Sequence, residues 1–149
     1  MRTSRQVAVY CVLPENGKNF YILLKRNKNR GGFWQPITGG EENFDNGDLL
    51  KTAIRETREE LGIDIAESQI VEIPHSFKFI DQEGVEHTEK CFGTILPLEA
   101  KGQIRLSDEH TAILYGTDLD YLKSLLKFED NRIGLEKFSQ WMTNHLGNQ

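Results

Sequence analysis

The segment from residue 48 to residue 62 constrains the fold most, because it predicts one well-defined amphipathic helix. Asp48 can cap its first turn, and Gly62 is the kind of residue that ends a helix. At about 100° per residue, the apolar residues between them fall on one side of the helix. That side consists of Leu49, Leu50, Ala53, Ile54, Thr57 and Leu61. We expect it to pack on a β-sheet.

Segments rich in β-branched and aromatic residues lie on both sides of this helix and predict the strands of that sheet. They are residues 6–13, 20–24, 70–79 and 87–98, with a short addition at 104–106. Residues 118–127 and 131–145 have the apolar spacing of amphipathic helices. This alternation predicts an α/β fold with a mixed β-sheet and helices on its faces.

Length and charge narrow the class of protein. A chain of 149 residues predicts one domain, spanning 1–149. Its longest apolar run, residues 7–13, is far short of the roughly 20 residues of a membrane helix, and no signal-like segment is visible, so we expect a cytoplasmic protein without a membrane partner.

The net charge of -5 argues against binding to duplex nucleic acid. Cys11 and Cys91 lack metal-ligand spacing and are expected to be reduced core thiols.

Three carboxylates share one edge of the predicted helix, beside its apolar side: Glu56, Glu59 and Glu60. Like charges three or four residues apart destabilise a helix by about 0.2–0.5 kcal/mol per pair, and the C-terminal end disfavours anions further. One interpretation is a solvated helix face with exchanging ion pairs to Arg55 and Arg58. The other is a site for a hard divalent cation such as magnesium, which takes oxygen ligands.

Residues 55–63, Arg-Glu-Thr-Arg-Glu-Glu-Leu-Gly-Ile, resemble the core of the Nudix box, G-x5-E-x7-R-E-U-x-E-E-x-G-U with U bulky and apolar. Six of the seven specified positions match, and the predicted elements are compatible with a Nudix-type α/β/α sandwich across nearly all of the chain. The resemblance implies a metal-dependent hydrolase that cleaves a phosphoanhydride bond in a nucleoside-diphosphate-linked substrate.

The match departs from the pattern before the helix. Gly47 stands where the first glutamate of the box belongs, and Asp48 follows one place later. Thr57 replaces an apolar residue, and the loop from Gly40 is one residue longer than the pattern. By analogy the first glutamate supports the site, so we expect an altered loop geometry and weaker activity.

The resemblance also implies roles for the residues of the box. Glu59 and Glu60 would be the principal metal ligands, with the carbonyl of Gly39 as a further ligand. Glu56 would bind a metal or help to activate the attacking water, and Arg55 would hold the carboxylates in position. The implied cofactor is magnesium, with manganese as an alternative, and no covalent nucleophile is required.

Outside the box, two residues are further candidates. Arg26 ends a strand, as arginines that bind phosphate do in several Nudix enzymes; the alternative is a solvated basic loop. Glu109 occupies a downstream loop that supplies another metal ligand or a base in related enzymes; the simpler alternative is a surface pair with His110. Phe33 and Trp34 are candidates either for stacking on a base or for packing beneath the loop.

Residues 33–39, followed by Glu41 and Glu42, are similar to the approach to the box in bacterial nucleoside triphosphate pyrophosphohydrolases of the dATP and dihydroneopterin triphosphate type. This similarity implies a small-molecule substrate, a nucleoside or pterin triphosphate that gives a monophosphate and pyrophosphate. Dinucleoside polyphosphates are the second choice, followed by ADP-ribose and capped RNA ends. A hypothesis from another class is a Nudix-like nucleotide-binding module that has lost turnover.

Overall fold

The computed structural model of the chain describes residues 3–146, which form seven strands and three α-helices. In chain order the described elements are β1 (Thr3–Glu15), β2 (Lys18–Arg26), β3 (Trp34–Gln35), β4 (Ile37–Gly40), α1 (Leu49–Leu61), β5 (Ile70–Ile80), β6 (Glu86–Ile95), β7 (His110–Gly116), α2 (Leu119–Leu125) and α3 (Glu129–Leu146).

Strand β1 is the centre of a mixed sheet with the order β3-β2-β1-β6-β5. It runs parallel to β6 and antiparallel to β2. The first half of β1 also pairs with β4, and β7 pairs with β2. Residues 7–13 of β1 are buried without interruption, as expected for a strand covered on both faces.

The helices cover the two faces of this sheet. On one face, the side chains of Val7, Val9 and Cys11 form a core with those of α1. On the other face, Ala8, Tyr10 and Val12 pack against α3. The contributing helix residues are Leu49, Ala53 and Leu61 of α1 and Leu135, Phe138 and Met142 of α3. The α/β/α sandwich with a mixed sheet is therefore confirmed.

The prediction of helix α1 is confirmed at both ends. The Asp48 side chain accepts a hydrogen bond from the Leu50 N–H at 3.0 Å, and Gly62 has the left-handed φ of 72° that ends the helix. Thr57 is fully buried on the apolar side because its hydroxyl donates to the Ala53 carbonyl at 2.8 Å. This bond explains how a threonine replaces the apolar residue of the box.

The short strand predicted at residues 104–106 is wrong. This segment follows a 3-10 helix, Leu98–Gln103, and the Arg105 N–H donates to the Leu61 carbonyl at the end of α1. Ile104 and Leu106 face the core from this loop, which produces an alternating pattern without a strand. The strand lies further on, as β7, and was not predicted.

Both cysteines are buried free thiols, as predicted. Among residues 3–146, every helix is too short or too polar to span a membrane.

Candidate active site

A cleft with a volume of about 1000 Å³ opens beside the C-terminal half of α1. All seven catalytic, metal-ligand and phosphate-binding candidates of the sequence analysis line this cleft: Arg26, Gly39, Arg55, Glu56, Glu59, Glu60 and Glu109. They come from β2, β4, α1 and the loop before β7. The fold therefore brings together candidates that are far apart in the sequence.

Arg55 connects the parts of this cleft, and its guanidinium is almost fully buried. Its Nη1 lies 2.9 Å from Oε1 of Glu56 and 3.2 Å from Oε2 of Glu59. Its Nη2 donates to the Gly40 carbonyl at 2.8 Å and to Oδ2 of Asp45 at 2.9 Å. The Asp45 pair is bidentate, since Nε of Arg55 also donates to Oδ1 at 3.2 Å. A planar fork fixed in this way holds two cleft carboxylates and the preceding loop in one arrangement.

Asp45 is a residue that the sequence analysis missed, and it corrects the interpretation of Gly47. Besides Arg55, it accepts hydrogen bonds from the Thr52 hydroxyl at 2.8 Å and the Glu42 N–H at 2.9 Å. The hydrogen bonds from Arg55 are the main reason that its pKa falls to about 2. Asp45 is thus the buried anionic partner of Arg55. The spacing of the box places this carboxylate at position 47, where the chain has a glycine.

The loop geometry explains why counting residues failed. Asn46 and Gly47 both have left-handed φ values, 56° and 74°, and turn the chain between Asp45 and the start of α1. A carboxylate two residues earlier therefore reaches the guanidinium. The altered loop was predicted, but it does not leave Arg55 without a carboxylate partner. One consideration could have identified Asp45 from the sequence. A buried arginine needs an acidic partner, and this loop supplies one.

Gly39 and Glu56 lie in direct contact. A Cβ atom on Gly39 would stand 1.9 Å from Cδ of Glu56, so only glycine leaves room for this carboxyl group. Glu56 is buried, and burial raises its pKa to about 7 in spite of the opposing charge of Arg55. This carboxyl group is therefore held in a place where its negative charge is incompletely compensated.

Glu60 faces the loop before β7. Its Oε2 accepts hydrogen bonds from Nδ1 of His110 at 2.6 Å and from the Ser107 hydroxyl at 3.0 Å. Burial alone would raise the pKa of Glu60, but hydrogen bonds with His110 and Glu109 outweigh it and the pKa falls below its ordinary value. The pKa of Glu109 rises, first because of its hydrogen bond with Glu60 and then because of burial. The contact between the two carboxyl groups therefore moves their pKa values in opposite directions.

His110 is not part of a surface pair with Glu109. Its side chain is only 2% exposed and bonds to Glu60, whereas the Glu109 carboxylate pairs with Arg30 at 3.2 Å. Ser107 and His110 are thus further residues of the site that the sequence analysis did not assign. Neither lies in a recognisable motif, and both reach Glu60 only because β7 pairs with β2.

Arg26 lies at the end of β2, where it is in register with His110 of β7. Its Nε is buried without a hydrogen-bond partner among residues 3–146, and its guanidinium stands 5.9 Å from the centre of the Phe33 ring. Phe33 lines the cleft, where it packs edge-on against Phe128. Trp34 instead packs against the core. Phe33 is therefore the candidate for stacking on a base, and Trp34 is the residue that packs beneath the loop.

The carboxylates of the cleft fit a hard divalent cation. In the described part of the chain, no three His, Cys, Asp or Glu side chains already surround one metal-sized position. Magnesium, however, is usually held by one or two carboxylates together with substrate phosphates. The oxygen donors of these side chains and the raised pKa values of Glu56 and Glu109 suit this open type of site.

Comparison with known proteins identifies the family of the chain. The sequence model of the NUDIX domain family matches residues 4–138. Curated protein sequences give no match.

Among solved structures, a Nudix hydrolase from Listeria monocytogenes is similar with a TM-score of 0.75 and 22% identity, over 94% of each chain. An Ap4A hydrolase from C. elegans has a TM-score of 0.72 and 19% identity, over 95% of this chain and 98% of that one. The NUDIX domain of Shewanella oneidensis NrtR, solved with ADP ribose, has a TM-score of 0.75 and 13% identity, over 96% of this chain and 90% of that one. These similarities in structure show the fold. The family match extends over most of the chain, which therefore belongs to the Nudix family.

Proposed function

We propose that this protein is a magnesium-dependent hydrolase that cleaves a phosphoanhydride bond in a nucleoside triphosphate-like substrate and releases a monophosphate and pyrophosphate. The observation that carries the proposal is the network around Arg55, which holds Glu56 and Glu59 in one cleft with Glu60 and Glu109. A structural ion-pair network would not need so many carboxylates for one guanidinium.

In this proposal Glu59 and Glu60, with the Gly39 carbonyl, hold the metal ion, for which manganese is an alternative to magnesium. When bound, the ion supplies positive charge against the phosphate oxygens and makes a water molecule more acidic. Glu56 binds a metal or receives the proton of the attacking water. Arg55 is a positioning residue, because its fork fixes the carboxylates and the Gly40 carbonyl.

Glu109 and Arg26 complete the proposed site. Glu109 lies in hydrogen-bond contact with Glu60, which suits a further metal ligand or a base. Arg26 presents a guanidinium with an unpartnered buried Nε to the same cleft, which suits a phosphate group. A phosphate chain in this cleft would contact Arg26 together with the metal ion held by the carboxylates.

The substrate class rests on the resemblance of residues 33–42 to triphosphate pyrophosphohydrolases. Dinucleoside polyphosphates are the second candidate, which the similarity to the C. elegans Ap4A hydrolase favours. ADP-ribose is the third, since the NrtR domain was solved with this ligand. The net charge of -5 disfavours duplex nucleic acid as a partner.

The test is incubation of the protein with nucleoside triphosphates, dihydroneopterin triphosphate, dinucleoside polyphosphates and ADP-ribose, with magnesium and with a chelator. We expect magnesium-dependent release of a monophosphate and pyrophosphate from a triphosphate, identified by chromatography and mass spectrometry. Cleavage of a dinucleoside polyphosphate or of ADP-ribose alone would replace the substrate class. Tight nucleotide binding without any product would show that the protein is a binding module.

A further inference from the structure

A row of three neighbouring residues, two of them polar, crosses the face of the sheet opposite to α1. Gln6 of β1 is in register with Glu89 of β6, and Glu89 is in register with Phe77 of β5. Laterally adjacent residues of a sheet project from the same face. This is the face that carries Ala8 and Cys91 into the core with α3. All three residues of the row line the cleft that contains the α1 carboxylates.

Glu89 is the unusual member of this row. It is only 3% exposed, and its Oε1 accepts a hydrogen bond from Nε2 of Gln6 at 2.5 Å. Its Oε2 is buried and has no hydrogen-bond partner among residues 3–146. A buried polar atom without a partner is costly, so a carboxylate oxygen left in this state and lining a cleft suits a ligand that donates hydrogen bonds.

The electrostatic surroundings of Glu89 also suit a ligand that donates hydrogen bonds. Burial raises the pKa of Glu89 to about 7, the hydrogen bond from Gln6 opposes the rise, and the charge of Asp130 adds to it. Among residues 3–146 the carboxylate therefore has a hydrogen-bond donor on Oε1 and none on Oε2. Two N–H groups from a ligand would stabilise the charged form, which accepts hydrogen bonds on both oxygens.

Aromatic side chains line the same cleft. Phe77 and Phe79 stand with ring centres 6.0 Å apart, and Phe33 meets Phe128 at 5.5 Å. Phe44, on the loop before α1, is 66% exposed at the cleft. Aromatic rings beside the polar side chains of Gln6 and Glu89 suit a planar heteroaromatic ring, whose face stacks and whose edge forms hydrogen bonds.

We propose that Glu89, oriented by Gln6, binds the edge of the substrate's base and selects a ring N–H with an adjacent exocyclic amino group. Guanine and reduced pterins share this edge, which presents two neighbouring donors to a carboxylate. The inference rests on the proposed function, because the carboxylates of α1 and Arg26 would then bind the phosphates of the same molecule. Glu89 is thus proposed as a specificity residue that contacts the base and not the phosphates.

The test compares kcat/KM for GTP with that for ITP, which lacks only the 2-amino group, and adds dihydroneopterin triphosphate to distinguish a guanine from a pterin substrate. We expect wild type to prefer GTP over ITP by about 10-fold or more, because hydrogen bonds to a charged acceptor are strong. In Glu89→Gln, whose amide offers a donor where the carboxylate accepts, the ratio should fall to about 3 or less. Glu86→Gln is the matched control, because it lies on the same strand but projects from the opposite face, and it should keep the wild-type ratio.

A GTP-to-ITP ratio near one in wild type, or a preference that persists in Glu89→Gln, would overturn the inference. Calorimetric binding of guanosine and inosine, which requires neither phosphate nor turnover, separates it from the proposed function. One outcome is that wild type binds guanosine more tightly than inosine, with the difference lost in Glu89→Gln, while no triphosphate is hydrolysed. In that case the base site stands and the proposed function fails. Equal binding of the two nucleosides would reject the base site, whatever the hydrolase activity.

Discussion

Arg55 and Asp45 form the buried ion pair on which the arrangement of the cleft carboxylates depends. The Nudix box identified Arg55 and its glutamates from local spacing, because all of them lie within two turns of one helix. Asp45 escaped detection because a turn with left-handed residues separates it from the helix. At the residue scale, motif spacing predicts well inside a regular element and poorly across an irregular loop.

Replacement of Asp45 with asparagine should lower both stability and activity. The folded pKa of about 2 lies below the ordinary 3.8, so this carboxylate stabilises the fold above pH 3.8 and loses its effect as the pH falls towards 2. At pH 7 we expect Asp45→Asn to cost about 2 kcal/mol in urea unfolding, with a smaller difference from wild type at pH 3. The exposed Asp64→Asn is the control and should change stability by less than about 0.5 kcal/mol. A stability difference that is the same at pH 7 and pH 3 would argue against a charged pair.

The contact between Gly39 and Glu56 gives a second prediction. A methyl group on Gly39 must displace the Glu56 carboxyl group, whereas a Cβ on Gly40 meets no atom within 4 Å. We expect Gly39→Ala to reduce kcat/KM by about 10²-fold, because small displacements of site groups are costly, while Gly40→Ala stays near wild type. Circular dichroism should show both variants folded. Equal activity of the two variants would mean that the position of Glu56 is unimportant for turnover.

At the scale of elements, α1 was predictable because its cap, its apolar side and its stop are all local. The strand at 104–106 was wrong because alternating Ile104 and Leu106 cover the core from a loop whose backbone bonds to the end of α1. Strand β7, which brings Ser107 and His110 to Glu60, depends on pairing with β2. Such long-range pairing leaves little trace in local sequence.

The two aspartates before α1 should have separable roles. Asp48 caps the helix and has no contact with Arg55 among the described interactions, whereas Asp45 pairs with Arg55. We expect Asp48→Ala to lower the free energy of unfolding by about 1 kcal/mol through loss of the cap. Its kcat/KM should stay within about 2-fold of wild type, since additive effects are expected for an independent site. A loss of activity as large as that of Asp45→Asn would assign the supporting role to Asp48 instead.

At the scale of the whole molecule, the cleft joins groups from both faces of the sheet. The carboxylates of α1 pack over one face, and the row of Gln6 and Glu89 belongs to the other. The alternation of strands and helices predicted a mixed sheet with helices on its faces, and the resemblance to the Nudix box implied the α/β/α sandwich. It could not predict the row, because Gln6 and Glu89 are 83 residues apart and meet only through the parallel register of β1 with β6.

The most direct test of the central claim is the rate of magnesium-dependent pyrophosphate release from a triphosphate by wild type and by Glu59→Gln. The Glu59 side chain is 49% exposed, so its replacement should preserve the fold. We expect the variant to lose about 10²-fold or more in kcat at saturating magnesium, because a ligand carboxylate is removed. The exposed Glu72→Gln should retain the wild-type rate. Unchanged turnover by Glu59→Gln would contradict the assignment of the α1 carboxylates as the site of catalysis.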